Sequence, residues 1–169
     1  GETPTQVEDW KALGIKVVLS FGGAGMGGSW SGDANNCWDY CFGEEMELSD
    51  NLVSIVSNKG FDGIDIDYEY CYDVAGGRHG RDCSSGTGLY TDQAAQNFLS
   101  VMTRMLREKL DEVGPNMELT HAPMDVDMMP DSAYYAILRD QSNNLNFLMP
   151  QVSKSRMFLL TILTPFIYG

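Results

Sequence analysis

A chain of 169 residues with 43% hydrophobic and 21% charged side chains has enough apolar material for one sizeable core and too much for disorder. Its 24 acidic against 11 basic residues, a formal charge of −13, exclude a nucleic-acid partner, which needs Lys and Arg to neutralise phosphate, and disfavour an anionic membrane surface. A neutral ligand such as a sugar is indifferent to that charge.

The first element is a helix over "TQVEDWKAL", closed by Gly14. The β-branched run "IKVVLSF" (15–21), bounded by Gly14 and Gly22, predicts a buried strand. A glycine-rich loop follows to about residue 43. Its "GAGMGG" (23–28) satisfies the dinucleotide fingerprint, but "SWSGDANNCWDYC" after it opens no helix, so the stretch reads as a loop carrying Trp30 and Trp38 towards a sugar. A short helix over 46–58 leads through Lys59-Gly60 into "FDGIDIDYEY" (61–70), a second strand. After a Gly-, Cys-, Arg- and Ser-rich loop (71–89), Thr91-Asp92 starts a helix that Gly114-Pro115 stops; Phe98, Val101, Met102, Met105 and Leu106 form its apolar stripe. "MELTHAPM" (117–124) and "LNFLMPQ" (145–151) predict two more strands, with a helix near 131–140 between them. Strands alternating with helices imply an α/β fold with a parallel sheet of βαβ units.

The second strand sets the functional question. Asp65, Asp67 and Glu69 occupy every second position and so share one face, while Ile64, Ile66 and Tyr68 share the other. In an open sheet covered by apolar helices on both faces, three buried acids would be ruinous. In a closed parallel barrel the inward face can be polar, and the C-terminal strand ends open onto a reaction site, with Glu69 uppermost. An EF-hand begun at Asp65 needs Gly and Glu where Tyr70 and Gly76 stand, so calcium is not the reading. Acid–base chemistry is: close like charges share protons, and a protonated Glu69 is expected as a general acid. No metal and no cofactor is implied, since His79 and His121 are isolated and no cysteine pair has zinc spacing.

The four cysteines lie in polar loops, and their even count points to two disulfides and an oxidising, secreted setting. Three pairings are open, of which the local one, Cys37–Cys41 with Cys71–Cys83, is expected. The opening Gly1-Glu2-Thr3-Pro4 is neither basic nor apolar and is not itself a secretory signal.

"LSFGG" (19–23), followed some forty residues on by "FDGIDIDYE" (61–69), resembles glycoside hydrolase family 18, the chitinases and their relatives. The two stretches match that family's Ser-x-Gly-Gly and Asp-x-x-Asp-x-Asp-x-Glu signatures, and "LTHAPM" and "NFLMPQ" resemble its next two strands. The likeness runs from about residue 7 to Gln151 and covers the third to sixth strands of an eight-stranded TIM-type (β/α) barrel, so a partial, half-barrel domain over 1–152 is implied, with an apolar tail over 153–169 of no assigned role. The resemblance implies hydrolysis of β-1,4-linked N-acetylglucosamine polymers by a substrate-assisted, retaining route. It makes Glu69 the acid on the glycosidic oxygen, Asp67 the residue that orients the acetamido group, and Asp65 the acid beneath, which trades a proton with Asp67. Ser20 and Asp62 are supporting residues, and Gly23, Trp30, Tyr70, Met149 and Gln151 contact the sugar. Val152 stands where a Tyr commonly follows that Gln. The implied partners are chitin or N-acetylglucosamine oligosaccharides. An endo-β-N-acetylglucosaminidase or a non-hydrolytic chitin-binding lectin are the other readings, and two unpaired edges of a half barrel predict self-association.

Overall fold

A computed structural model describes residues 4–23, 26, 37–69 and 92–151. Helix α1 (Pro4–Ala12) precedes strand β1 (Leu19–Gly22). A 3-10 turn (Cys37–Cys41) and helix α2 (Glu45–Lys59) lead to β2 (Gly63–Asp67). Helix α3 (Asp92–Val113), β3 (Glu118–His121), α4 (Ala133–Asp140) and β4 (Phe147–Leu148) complete the order, with short 3-10 turns at Asp125–Met128 and Ser142–Asn144. The four strands form one parallel sheet in the order β1-β2-β3-β4, the order in which the chain visits them.

Hydrogen bonding trims the strands from their apolar runs. Residues 15–18 lie outside the ladder assigned to β1, although Val17 already pairs with Asp62 through Asp62 N to Val17 O at 2.7 Å. The last strand is cut to two residues because Asn146 takes over as a backbone surrogate: its Oδ1 accepts from Leu119 N at 2.8 Å and from Arg107 Nη1 at 3.2 Å. Helix ends follow the sequence more closely. Gly60 closes α2 in the left-handed conformation, φ 73, at no Cβ cost.

Alternation along paired strands sorts the side chains into two layers. Phe21, Ile66, His121 and Leu148 form one row across the sheet, facing the helices. Beneath it, Val56 of α2 and Ala95, Phe98, Leu99, Met102, Leu106 and Leu110 of α3 are fully buried, so the working stripe of α3 takes in Leu99 and Leu110, whereas the expected Val101 and Met105 are only partly buried and lie outside the core. Trp38 is buried there too, its ring edge-on to Tyr68 (centroids 4.7 Å) and to Phe21 (5.3 Å). The expectation that Trp38 reaches a sugar is therefore wrong. A large indole gains more from burial in an aromatic core than from exposure, and a loop sequence does not reveal which will happen.

The core also holds a directed chain of hydrogen bonds. Thr103 Oγ1 donates to Leu99 O at 2.7 Å, so its lone pair accepts from His121 Nε2 at 3.0 Å; His121 Nδ1 then accepts from Tyr134 Oη at 2.9 Å. Burial pushes His121 down to about 3 from 6.5, which fits this neutral, Nε2-protonated ring. An unfolded chain takes up the His121 proton near 6.5 and the folded one does not, so this part of the stability is complete above pH 6.5 and drains away towards pH 3. Asp67 works in the opposite sense between about 6 and 3.8, because its folded pKa is the higher one. From these two groups, urea midpoints are expected to fall just below pH 6.5, level off, and fall again below pH 4; a midpoint constant down to pH 3 would contradict a neutral His121.

Candidate active site

Ser20, Asp65, Thr120 and Phe147 stand in one row on the opposite, inward layer of the sheet, directly paired across the four strands. Ser20 Oγ donates to Asp65 Oδ2 at 3.1 Å from one side, and Thr120 Oγ1 to Asp65 Oδ1 at 2.7 Å from the other. Both oxygens of Asp65 are thus engaged. The expected Ser20 contact is present; the Thr120 contact was not foreseen.

One row higher, Gly22 pairs with Asp67. The approach is so close that a Cβ on Gly22 would lie 2.1 Å from the Asp67 carbonyl oxygen and 2.7 Å from the Trp38 ring. Gly23, with φ 81, sends its N–H to the same carbonyl at 2.7 Å, and a Cβ there would meet Asp67 Oδ2 at 3.1 Å. The glycines of "LSFGG" are the space in which Asp67 sits. At the foot of the strand Gly63 has the same function: its Cβ would overlap the backbone of Glu118 at 2.0 Å.

Gln151, placed by an isolated bridge to Met124 beyond β4, reaches over the cluster. Its Nε2 lies 2.7 Å from Asp67 Oδ1, 3.2 Å from Glu69 Oε1 and 3.0 Å from Ala122 O. All three partners are acceptors, which fixes the amide with nitrogen towards the acids. Two N–H groups serve three oxygens, so one is shared. Burial, then the charges of Glu69 and Asp65, raise Asp67 from 3.8 to about 6. Asp67 stands between Asp65 and Glu69 in the row, which is why both charges act on it.

Asp62 belongs elsewhere. It lies at the N-terminal end of β2, where Oδ2 accepts from Val17 N at 2.8 Å and Oδ1 pairs with Lys11 Nζ at 2.9 Å. Its part is to anchor α1 and the start of β1, and a place among the residues supporting the acids is withdrawn. Asp62→Ala is expected to lower unfolding free energy by about 1–2 kcal/mol, chiefly through the unpaired Val17 N–H, with turnover per folded molecule unchanged; lost turnover at parent stability would return it to the site. Met149 lies at the C-terminal end of β4 with its N–H on His121 O at 2.8 Å and its side chain partly exposed. Trp30, Tyr70, Cys71 and Cys83 lie outside the described residues, as does the side chain of Cys37, so both expected cysteine pairings do too.

The family model described as Glycosyl hydrolases family 18 matches residues 4–151. Among solved structures, a GH18 chitinase from Pseudoalteromonas aurantia is similar at 25% identity and TM-score 0.65, covering 88% of this chain and 47% of that one. A Streptomyces coelicolor protein designated Chitinase A shares the fold at 23% identity and TM-score 0.55, covering 88% of this chain and 39% of that one. The chain thus spans less than half the length of the solved structures it matches. No curated protein matches it.

Proposed function

We propose, because the chain belongs to glycoside hydrolase family 18, that its acid cluster cleaves β-1,4-linked N-acetylglucosamine polymers by substrate-assisted retention. The observation that carries this reading is that Gln151 Nε2 bridges Asp67 and Glu69 at the C-terminal mouth of a parallel sheet, where burial raises Asp67 to about 6. An acetamido N–H arriving at Asp67 favours the carboxylate there and drives the proton to Glu69, its neighbour on the same Gln151 Nε2. Glu69 then gives it to the glycosidic oxygen as the bond from that oxygen to the anomeric carbon breaks. The acetamido carbonyl oxygen closes on the same carbon, forming an oxazolinium whose positive charge lies beside Asp67. Water returns to the anomeric carbon, its proton goes to Glu69, and the oxazolinium C–O bond opens. Asp65, held by two hydroxyls, is the acid beneath.

A fluorogenic chitobioside, with and without N-acetylglucosamine thiazoline, tests the reading. Release suppressed by the thiazoline is expected; release indifferent to it would contradict substrate assistance.

The partners we propose are chitin and its oligosaccharides, in a secreted setting. Self-association is proposed as well. Among the described residues β1 and β4 are the sheet edges, and the inward layer exposes half of Phe147 and over a third of Met149. Light scattering is expected to show a mass that rises with concentration; a monodisperse monomer would contradict it.

A further inference from the structure

Asp127 lies outside the acid row, in the 3-10 turn that follows β3, and it is fully buried. Its Oδ2 accepts from Met124 N at 2.9 Å, and its own N–H donates to Met124 O at 3.0 Å. The N–H of Met124 belongs to the same peptide unit as Pro123 O, which accepts from Gln151 N at 2.8 Å. That unit is trans, so its N–H and C=O point in opposite directions from one plane. The Asp127 carboxylate therefore holds one end of the plane and the Gln151 main chain the other. One peptide earlier, Ala122 O accepts from Gln151 Nε2 at 3.0 Å, beside the contacts of that nitrogen to Asp67 and Glu69. We propose that Asp127 is a positioning residue for this acid cluster: by fixing the Pro123–Met124 peptide it sets where Gln151 joins the sheet, and so where the Gln151 amide meets Asp67 and Glu69. The proposal rests on the acid-cluster reading, and it concerns the protein before any sugar arrives.

The physical reason is that the end of the sheet is thin at this point. Strand β4 stops at Leu148, and among the described residues the chain beyond it is tied to β3 through Met149 N on His121 O and Gln151 N on Pro123 O. Met124 is buried, so without Asp127 its N–H becomes a buried donor lacking its acceptor, and the peptide rotates towards whatever can satisfy it. Pro123 O turns with it, because the two ends of a peptide plane move together. Hydrogen bonds to a carboxylate are strong, and bonds in a chain polarise one another, so the grip of Asp127 is felt at Gln151.

The test is 1H–15N NMR of the full chain, read at the Gln151 side-chain amide as pH is varied, for the parent, Asp127→Ala and Asp127→Asn. In the parent, the Gln151 NH2 signals are expected to shift with an inflection at about pH 6, where the Asp67 carboxyl that they touch titrates. A flat parent curve would remove the contact on which the proposal is built and overturn it. Asp127→Ala is expected to lose most of the inflection, and Asp127→Asn to retain it, because an amide oxygen still accepts from Met124 N. An Asp127→Ala curve that overlays the parent overturns the proposal. So does loss of the inflection in Asp127→Asn, which would assign the effect to the charge of Asp127 and not to its grip on the peptide. If Asp127→Ala loses the parent amide spectrum, hydrogen exchange of the parent decides. Exchange of Met124 N–H in step with Gln151 N–H supports the proposal, as expected for two amides tied to one peptide; Met124 exchanging as fast as an open loop overturns it. Should the amide behave as expected while the parent releases nothing from a chitobioside, the functional reading fails and the positioning role stands. The converse result keeps the functional reading and removes Asp127 from it.

Discussion

Glu69→Gln is expected to reduce hydrolysis of a fluorogenic chitobioside by ~10²–10⁴-fold while oligosaccharide binding is largely retained. The amide preserves the shape of the side chain and its contact with Gln151, but it has no acidic proton for the leaving oxygen. The effect belongs to kcat, since proton donation is made only as the glycosidic bond breaks. A raised KM at unchanged kcat would assign Glu69 to sugar binding. Parent-like turnover would remove it from the chemistry altogether.

Gly22→Ala is expected to be the most damaging small substitution at the upper, active-site end of the sheet. Gly22 has φ 122, and the new methyl would lie 2.1 Å from the Asp67 carbonyl oxygen and 2.7 Å from the Trp38 ring. Neither the backbone of β2 nor a fully buried indole can step aside cheaply, so β1 must part from β2 at the point where Asp67 enters the site. Overpacking of this kind costs about 3 kcal/mol, and the displaced Asp67 should take turnover down with it. Gly43→Ala is the control: φ is 89 and a Cβ meets nothing within 4 Å, so only the backbone strain of about 1 kcal/mol remains and turnover should hold. Urea unfolding of both variants checks the comparison. Equal losses would mean that backbone conformation alone, and not the close approach to Asp67, makes Gly22 necessary.

What the sequence revealed and what it hid follow from how local each feature is. Asp65, Asp67 and Glu69 were legible because side-chain alternation is a property of any strand, and their inward direction followed from the apolar partners between them. Gln151 was legible only through family resemblance; its clamp on two acids more than 80 residues away depends on β4 reaching its place in the sheet. Thr120 gave no signal at all. One Thr in "LTHAPM" meets Asp65, 55 positions earlier, only because β3 pairs with β2 in this register. Trp38 and Asp62 were misread for the same reason. Their neighbours in sequence are loop residues and strand acids, whereas their neighbours in space are an aromatic core and Lys11. The position of the raised carboxyl was also beyond the sequence, since it depends on which acid stands between two others and how deeply each is buried.

The most direct measurement is the anomeric configuration of the first product, followed by 1H NMR as a chitin oligosaccharide is added to the purified chain. With the acetamido group as nucleophile and Glu69 as the proton donor, the first signal is expected to be the β-anomer, with the α-anomer growing in only as mutarotation proceeds. An α-anomer formed first would mean that water attacks directly from the opposite face, and would contradict substrate assistance at Asp67 and Glu69.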